Sequence, residues 1–141
     1  MSDCIFCHIV ARKIPSQPVY EDEYVYAFLD IHPINPGHVL VVPKQHSVGL
    51  HDADEAVLQQ LILATQKIAR AVVTALNTTG FNLVENNGVI AGQVIPHVHF
   101  HIIPRRPEDG LKPWPGTSYA EGEATRVAES IRKNMSLPIR R

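Results

Sequence analysis

Three histidines alternate with apolar residues in the segment 96–103, which is PHVHFHII. Successive side chains of a β-strand point to opposite faces, so His97, His99 and His101 are predicted to share one face while the residues between them face the core. Residues i and i+2 lie roughly 6.5–7 Å apart in a strand, so the row would be about 13 Å long. That length disfavours a single metal ion bound by all three side chains.

A row of imidazoles suits phosphoryl chemistry better. A neutral imidazole can attack phosphorus and form a covalent phosphohistidine, which water then hydrolyses. The attacking nitrogen needs a lone pair, so the other ring nitrogen must donate its proton to an acceptor. A second histidine can hold the phosphate oxygens and protonate the leaving group. Two alternatives stay open: His97 and His99 as ligands of a catalytic metal, or histidines on a solvent-facing strand with no role.

A second group of reactive residues stands at the N-terminus, in Cys4-Ile5-Phe6-Cys7-His8. Two thiolates at i and i+3 of a helical turn can bind one zinc ion, but a closed tetrahedral site needs two more ligands. Because the chain has no second C-x-x-C, histidines must supply them. The motif also matches haem c attachment, which goes with export, and a redox pair, which is expected near a βαβ unit. Buried cysteines without a ligand are the remaining alternative.

Length and charge limit the classes of function. A chain of 141 residues fits one compact domain. With 13 basic and 14 acidic residues its formal net charge is −1, so bulk electrostatics do not favour nucleic acid or anionic membranes. No apolar run approaches the roughly 20 residues that cross a bilayer, and the N-terminus lacks the pattern of a signal peptide. We therefore expect a cytoplasmic protein with reduced cysteines.

The elements that would position these residues follow from periodicity. Strands are predicted at 24–30, 38–43, 81–87 and 97–103, all of them core strands, with a turn at HPINPG between the first two. A short helix through residues 4–10 would be capped by Asp3 and stopped by Pro15 and Pro18.

Two further helices are predicted. Asp52 and Glu55 resemble a capping box before a long helix that ends near 77–80, and an amphipathic helix is expected at 120–133. Strands linked mostly by turns, with one long helix inserted, favour an α+β fold with an antiparallel sheet over a parallel doubly wound fold.

Taken together, these segments resemble the histidine triad (HIT) family, whose signature is His-φ-His-φ-His-φ-φ with φ apolar. Residues 97–103 fit it at every position, and IFCHIVARKIPSQPVYED, AFLDIHPINPGHVLVVPKQH, LVENNG and AGQ are similar to family segments in the family's order. The resemblance covers about residues 4–106 and is nearest to the bacterial-type, Hint-related branch. It implies a HIT-like fold with an antiparallel sheet of about five strands, one long helix and a short N-terminal helix. Residues 1–106 would hold the core and active site, and residues 107–141 would form a tail of the same single domain.

The resemblance also implies an activity. It is hydrolysis or nucleotidyl transfer at the α-phosphate of a purine nucleoside phosphoramidate or a related conjugate, through a covalent nucleotidyl-histidine. His99 matches the nucleophile, His101 the contact to phosphate and leaving group, and His38 the histidine that sets the hydrogen bonding around them. Two alternatives remain, a nucleotide-binding or partner-regulating module with incidental turnover and a dinucleoside polyphosphate hydrolase. Action on DNA ends is disfavoured by the near-neutral charge.

The implied substrate pocket combines polar and apolar positions. Asn86, Gln93 and the backbone near Val94 match the phosphate contacts, and Asp30 matches the acid that binds the ribose hydroxyls. Hint-type proteins usually have serine where Val94 stands, so only the backbone is left to contact phosphate there. On pattern alone, the apolar residues would be core, and Asp30 and Asn86 would be turn residues. The apolar slot for the base matches Ile5, Phe6, Ile9, Phe28, Leu29 and Ile31.

A subset of the family carries zinc, and its four ligands match Cys4, Cys7, His46 and His97. His8, His32 or His51 could substitute for one of these histidines. Four protein ligands would make the zinc structural rather than catalytic. The resemblance further implies a homodimer joined across the long helices and adjacent strands.

Overall fold

The computed structural model describes residues 3–135, which form one antiparallel sheet and three helices. The strand order is β1-β2-β3-β5-β4, and every neighbouring pair is antiparallel. The predicted α+β fold with an antiparallel sheet of about five strands is therefore confirmed. The elements are α1 (Ile5–Val10), β1 (Pro18–Glu21), β2 (Val25–Leu29), β3 (Val39–Pro43), α2 (Glu55–Ala75), β4 (Phe81–Val84), β5 (Phe100–Pro104) and α3 (Glu123–Lys133).

The central strands β2 and β3 are apolar along nearly their whole length because both faces of the sheet are covered. On one face, alternate residues such as Val25, Val41 and Ile102 pack with the buried stripe of α2. On the other face, residues such as Phe28 and Leu40 pack with Phe6 and Ile9 of α1. The second face carries the site, since His101 lies opposite Leu40 in the register of β3 and β5.

Both predicted helix caps are wrong. Helix α1 is capped by Cys4, whose Sγ accepts from the backbone N–H of Cys7 at 3.5 Å, so Asp3 is not the cap. Asp52 ends a 3₁₀ turn ahead of α2, and the residue at the N-cap is Asp54. The Asp54 carboxylate makes no capping bond and instead accepts from Gln45 Nε2 at 2.9 Å. A tertiary partner has therefore replaced the local bond that the capping box would supply.

Three strand predictions need correction. Strand β1 was not predicted; Pro18 was interpreted only as the end of a helix. Proline is tolerated at the first residue of β1, which lies at the edge of the sheet. Strand β4 is the other edge rather than a core strand, with Phe81 and Leu83 40% and 45% exposed. Strand β5 begins at Phe100, so His97 and His99 lie in the irregular segment that leads into it.

The predicted amphipathic helix near the C-terminus is confirmed as α3. The chain divides into two compact units, 1–109 and 110–141, and α3 belongs to the second. The assignment of residues 107–141 to the same domain as the core stays a prediction. Within residues 3–135, no helix combines the length and the hydropathy needed to cross a bilayer.

Candidate active site

A cavity of about 450 Å³ opens on the α1 side of the sheet. That volume lies in the usual range for a pocket that binds a small molecule. The predicted residues that line it include Ile5, Phe6, Ile9, Phe28, Leu29, Asp30, Ile31, Asn86, Val94, His99 and His101. Lining residues that sequence reasoning missed are Ile14, Pro15, Ser16, His32, Leu40, Gly92 and Ile95.

The polar groups of this cavity are few, and most of the wall is apolar. Asp30 is its single carboxylate, and no lysine or arginine is among the lining residues. An aromatic base or another flat apolar group can therefore be buried against the isoleucine and phenylalanine side chains. Anionic groups have only histidines, Asn86, Ser16 and backbone N–H groups as donors.

The hydrogen bonding of His99 fixes which of its nitrogens is free. Nδ1 lies 2.7 Å from the backbone oxygen of His97. A carbonyl can only accept, so Nδ1 carries the proton and donates it. In the neutral ring Nε2 then holds a lone pair, as a nucleophile requires.

His38 and His101 form a directional pair. The backbone N–H of Ile34 donates to His38 Nδ1 at 3.1 Å, so this nitrogen is unprotonated and the proton of neutral His38 lies on Nε2. His38 Nε2 lies 2.9 Å from His101 Nδ1 and donates to it. The proton of neutral His101 is therefore on Nε2, and His101 offers a donor where His99 offers a lone pair. We call His38, His99 and His101 the cavity histidines; His99 and His101 line the cavity, and His38 lies behind them and bonds His101.

Burial keeps these rings neutral near pH 7. Desolvation, together with the neighbouring rings of His99 and His38, lowers the pKa of His101 to about 4. Desolvation also lowers the pKa of His38 and of His99. Asp30 opposes the shift at all three, and its carboxylate lies 3.6 Å from His38 Nε2. Neutral rings are consistent with the tautomers that the hydrogen bonds assign.

The loop at the cavity mouth contains both predicted phosphate-contacting side chains, but uses them differently. Asn86 lines the cavity. Gln93 does not: its amide donates to the carbonyls of Val48 and Ile95 and accepts from the N–H of Gly88 at 2.8 Å. Gln93 thus holds the loop in shape, and its predicted part in binding the substrate stays a prediction.

The second site lies beside the cavity and unites the four predicted metal ligands. One donor atom from each of Cys4, Cys7, His46 and His97 lies within 4.8 Å of all the others. The two His Nδ1 atoms are 3.2 Å apart, and Nδ1···Sγ distances are 3.3, 3.4 and 3.6 Å. Ideal tetrahedral zinc would set N···N near about 3.3 Å and N···S near about 3.6 Å. We call these four residues the thiolate cluster.

Two further observations fit a metal at this place. His97 Nε2 donates to the backbone oxygen of Pro43 at 2.8 Å, which leaves its Nδ1 lone pair directed into the cluster. Without a cation, burial and the nearby Cys4 sulfur raise the pKa of the Cys7 thiol to about 11. A divalent cation would remove that penalty by binding the thiolate. The alternative ligands His8, His32 and His51 are not in this cluster.

The two sites are neighbours through Phe6. Its ring makes edge contacts with His97 and His99, at centroid distances of 5.9 and 5.0 Å. Among the described residues, two groups of three or more metal-ligating side chains converge, the thiolate cluster and Asp30-His38-His101, and neither of them contains His99 as the alternative metal site would require.

Comparisons with known proteins agree with this geometry. The family model described as HIT domain matches residues 11–108. The chain is 36% identical over 141 residues to adenosine 5'-monophosphoramidase HNT1 of Candida albicans, covering 96% of this chain and 93% of the relative. It superposes on a crystal structure of a HIT family member from Bacillus subtilis with a TM-score of 0.89 and 40% identity, covering 96% and 99% of the two chains. A zinc-bound histidine triad family protein from Mycobacterium smegmatis matches with a TM-score of 0.74 and 39% identity, over 79% and 81%.

Proposed function

The chain belongs to the HIT domain family, and on that premise we propose that it is a nucleotide hydrolase acting at the α-phosphate of a purine nucleoside phosphoramidate or a related conjugate. The relative from Candida albicans is named as an adenosine 5'-monophosphoramidase, which supports this substrate class. The observation that carries the proposal is the bond from His99 Nδ1 to the carbonyl of His97 in a ring that lines the cavity.

The proposed reaction has two steps. His99 Nε2 attacks the α-phosphorus, a P–N bond to His99 forms, and the bond from phosphorus to the leaving group breaks. Water then attacks the same phosphorus and releases the nucleoside monophosphate. The amine leaves in the first step with a proton taken up from solvent. In the second step the attacking water leaves its hydroxyl on phosphorus and returns one proton to solvent, so one water is consumed over both steps. His101 Nε2–H donates a hydrogen bond to a phosphate oxygen or to the leaving atom.

Different parts of the cavity would bind the base, the ribose and the phosphate of the substrate. The apolar wall formed by residues such as Phe6, Phe28 and Ile31 would hold the base, and Asp30 would accept from the ribose hydroxyls. Asn86 and backbone N–H groups near Val94 would contact the phosphate. A polyphosphate leaving group fits less well, because no lysine or arginine lines the cavity to offset its charge.

We also propose that the thiolate cluster binds zinc. Four protein ligands leave no open position, so the ion would be structural and would supply folding free energy. It would join the start of α1 to the chain after β3 and to the segment before β5. A site of two thiolates requires reduced cysteines, which is consistent with a cytoplasmic location.

The proposed homodimer would use the face formed by α2 and the edge strand β4. Ile62, Leu63, Phe81 and Leu83 there are 40–54% exposed and border one apolar groove. Replacing Leu63 by Glu should convert the dimer to a monomer in light scattering. Val19→Glu, in the apolar groove at the other side of α2, should leave the dimer intact. A monomeric wild-type protein, or loss of the dimer only with Val19→Glu, would contradict this interface.

The function is tested by turnover of adenosine 5'-phosphoramidate, followed as release of adenosine monophosphate. His99→Ala should lower kcat by at least about 10³-fold, because the group that forms the covalent bond is gone. His51→Ala is the matched control, since the His51 side chain is 76% exposed and outside both sites. Activity retained in folded His99→Ala would exclude the mechanism. A protein that binds the nucleotide but shows no turnover in its wild-type form would favour the binding-module alternative.

A further inference from the structure

The turn between β2 and β3 contains a buried polar side chain that the proposed chemistry does not use. Asn35 is only 5% exposed. Its Nδ2 donates to the backbone oxygen of Pro104 at 2.9 Å and to Asp109 Oδ2 at 3.1 Å, and its Oδ1 accepts from Arg106 at 3.4 Å. Burying an amide without such partners is unfavourable, so these bonds hold the turn firmly to the end of β5.

Asp109, which accepts a hydrogen bond from Asn35, is itself held in place. The Asp109 carboxylate is 3% exposed and receives two bonds from Arg105, at 2.7 Å from Nε and 2.9 Å from Nη2. Such a bidentate pair defines the orientation of the carboxylate. The remaining Arg105 nitrogen, Nη1, is outside this pair and donates to Oδ1 of the exposed Asn82 at 2.8 Å. Asn35 is therefore tied to a rigid anchor that lies far from it in sequence.

The same turn carries the group that sets the tautomer of His38. The Ile34 N–H, one residue before Asn35, donates to His38 Nδ1 at 3.1 Å. The backbone oxygen of Asn35 accepts from the N–H of His38, also at 3.1 Å. The Ile34 side chain is 51% exposed, so its own packing holds this peptide only weakly. The placement of the Ile34 N–H thus depends on the anchoring of Asn35.

We propose that Asn35 is a positioning residue for the cavity histidines, acting through Ile34 N–H and His38 on the proton of His101. Asn35 holds the turn, Ile34 N–H keeps His38 Nδ1 unprotonated, and His38 Nε2–H keeps the proton of His101 on Nε2. The catalytic consequence rests on the proposed function, since it matters only if His101 Nε2–H contacts the reacting phosphate. The tautomeric consequence holds without any substrate.

The test compares Asn35→Ala with Asn82→Ala in the full-length protein. Asn82 also bonds Arg105, but it is exposed and has no contact with the turn, so it is the matched control. Nitrogen-15 NMR of labelled histidines at neutral pH reports the protonation of each ring nitrogen. In the wild type and Asn82→Ala, His38 and His101 should each show one Nε2–H tautomer. In Asn35→Ala, the two nitrogen signals of each ring should approach one another as tautomers exchange.

Kinetics and amide exchange give two further readouts. Asn35→Ala should exchange the Ile34 amide at least about tenfold faster, because a protecting hydrogen bond is lost. Its kcat should fall by about 10- to 100-fold with KM changed by less than about threefold, since orientation rather than binding is impaired. A merely structural Asn35 would lower the unfolding midpoint but leave the histidine signals and kcat of the folded protein unchanged, and that result would overturn the proposal.

Asp109→Asn provides a milder variant if Asn35→Ala does not fold. It keeps the bond from Asn35 to Pro104 but removes the charge that orients the anchor, so the histidine signals should shift in the same direction by less. Unchanged signals in folded Asp109→Asn would then refute the proposal. Retained turnover in His99→Ala would refute the proposed function yet leave the NMR result standing, so the two failures are distinguishable.

Discussion

The thiolate cluster and the cavity histidines are adjacent groups built partly from the same alternating motif, yet their lone pairs are arranged in opposite ways. In the thiolate cluster the donor atoms of four residues converge within 4.8 Å of one another. Among the cavity histidines the hydrogen bonds run in line, from Ile34 N–H through His38 to His101. His38 and His101 also lie within 4.8 Å of Asp30, but there the facing ring nitrogens are joined by a hydrogen bond. A cluster of free lone pairs suits a bound cation, whereas the hydrogen-bonded row leaves Nε2 of His99 and of His101 available to a ligand.

The difference is set by backbone carbonyls. His97 donates from Nε2 to Pro43 and turns its Nδ1 lone pair toward the cysteines, whereas His99 donates from Nδ1 to His97 and keeps its Nε2 lone pair. His97 and His99 are two residues apart in sequence, yet their rings are opposite tautomers. The ring nitrogen that donates to a carbonyl determines which nitrogen keeps the lone pair. The role of each histidine therefore does not follow from residue type and spacing alone.

Loss of the thiolate cluster should have the largest effect on stability and a smaller one on chemistry. Cys7→Ser removes a thiolate ligand and should lower the free energy of unfolding by several kcal/mol, because structural zinc contributes folding free energy. Denaturant titration of the zinc-loaded protein measures this loss. In the fraction that remains folded, kcat should change by less than about tenfold.

The mirror variant is His101→Asn, which should keep zinc and most of the stability while kcat falls by at least about 10²-fold. If Cys7→Ser and the wild type both bound zinc and unfolded at the same denaturant concentration, the stabilising role of the thiolate cluster would be contradicted. Exhaustive removal of zinc from the wild type should reproduce the Cys7→Ser behaviour.

Lowering the pH should lower the stability of the fold, because burial keeps the cavity histidines neutral. Burial lowers the pKa of His101 to about 4 in the folded chain, whereas an unfolded histidine titrates at 6.5. Between these values the unfolded state binds a proton that the folded state does not, so stability falls as pH falls from 6.5 toward 4. The full loss, present below the folded pKa, is at most about 3 kcal/mol for this residue.

Urea unfolding at pH 7 and pH 5 measures this effect in the wild type and in His101→Gln. Release of the proposed zinc in acid would affect both proteins equally, so their difference isolates the histidine. His101→Gln should lose less stability between the two pH values. An identical loss in both proteins would mean that His101 is not held neutral by its burial.

Val94 should give the smallest effect. Its side chain is 84% exposed at the cavity mouth, where related Hint-type proteins usually have serine. Val94→Ser should raise kcat/KM for the phosphoramidate by about fivefold, the equivalent of one hydrogen bond of about 1 kcal/mol. Val94→Ala controls for the lost methyl groups and should show no gain. Equal gains in both variants would assign the effect to space rather than to the hydroxyl.

Much of the architecture follows from local pattern. The apolar alternation of β2 and β3 and the helical spacing in α2 are strong signals, since each element must bury a defined face. The convergence of the four residues of the thiolate cluster could be predicted through the family resemblance, although only two of them share a local motif. The edge strand β1 was missed because its four residues give only a short pattern, and its pairing with β2 is a property of the assembled sheet.

The parts that could not be predicted depend on contacts between distant segments. Cys4 rather than Asp3 caps α1, because the thiol is held where the N–H of Cys7 can reach it. Gln93 bonds to the carbonyl of Val48, and Asn35 to that of Pro104. Backbone carbonyls carry no sequence signature, so the tautomers they impose on His97 and His99 are visible only in the structure.

The covalent intermediate on His99 is the most direct test of the account. The wild-type enzyme is mixed rapidly with adenosine 5'-phosphoramidate, quenched in alkali and digested, and the peptides are analysed by mass spectrometry. We expect a peptide containing His99 to gain the mass of one adenylyl group during the first turnover, and His99→Ala to show no such species. Turnover without any adduct, or an adduct on another residue, would contradict the assignment of His99 as the nucleophile.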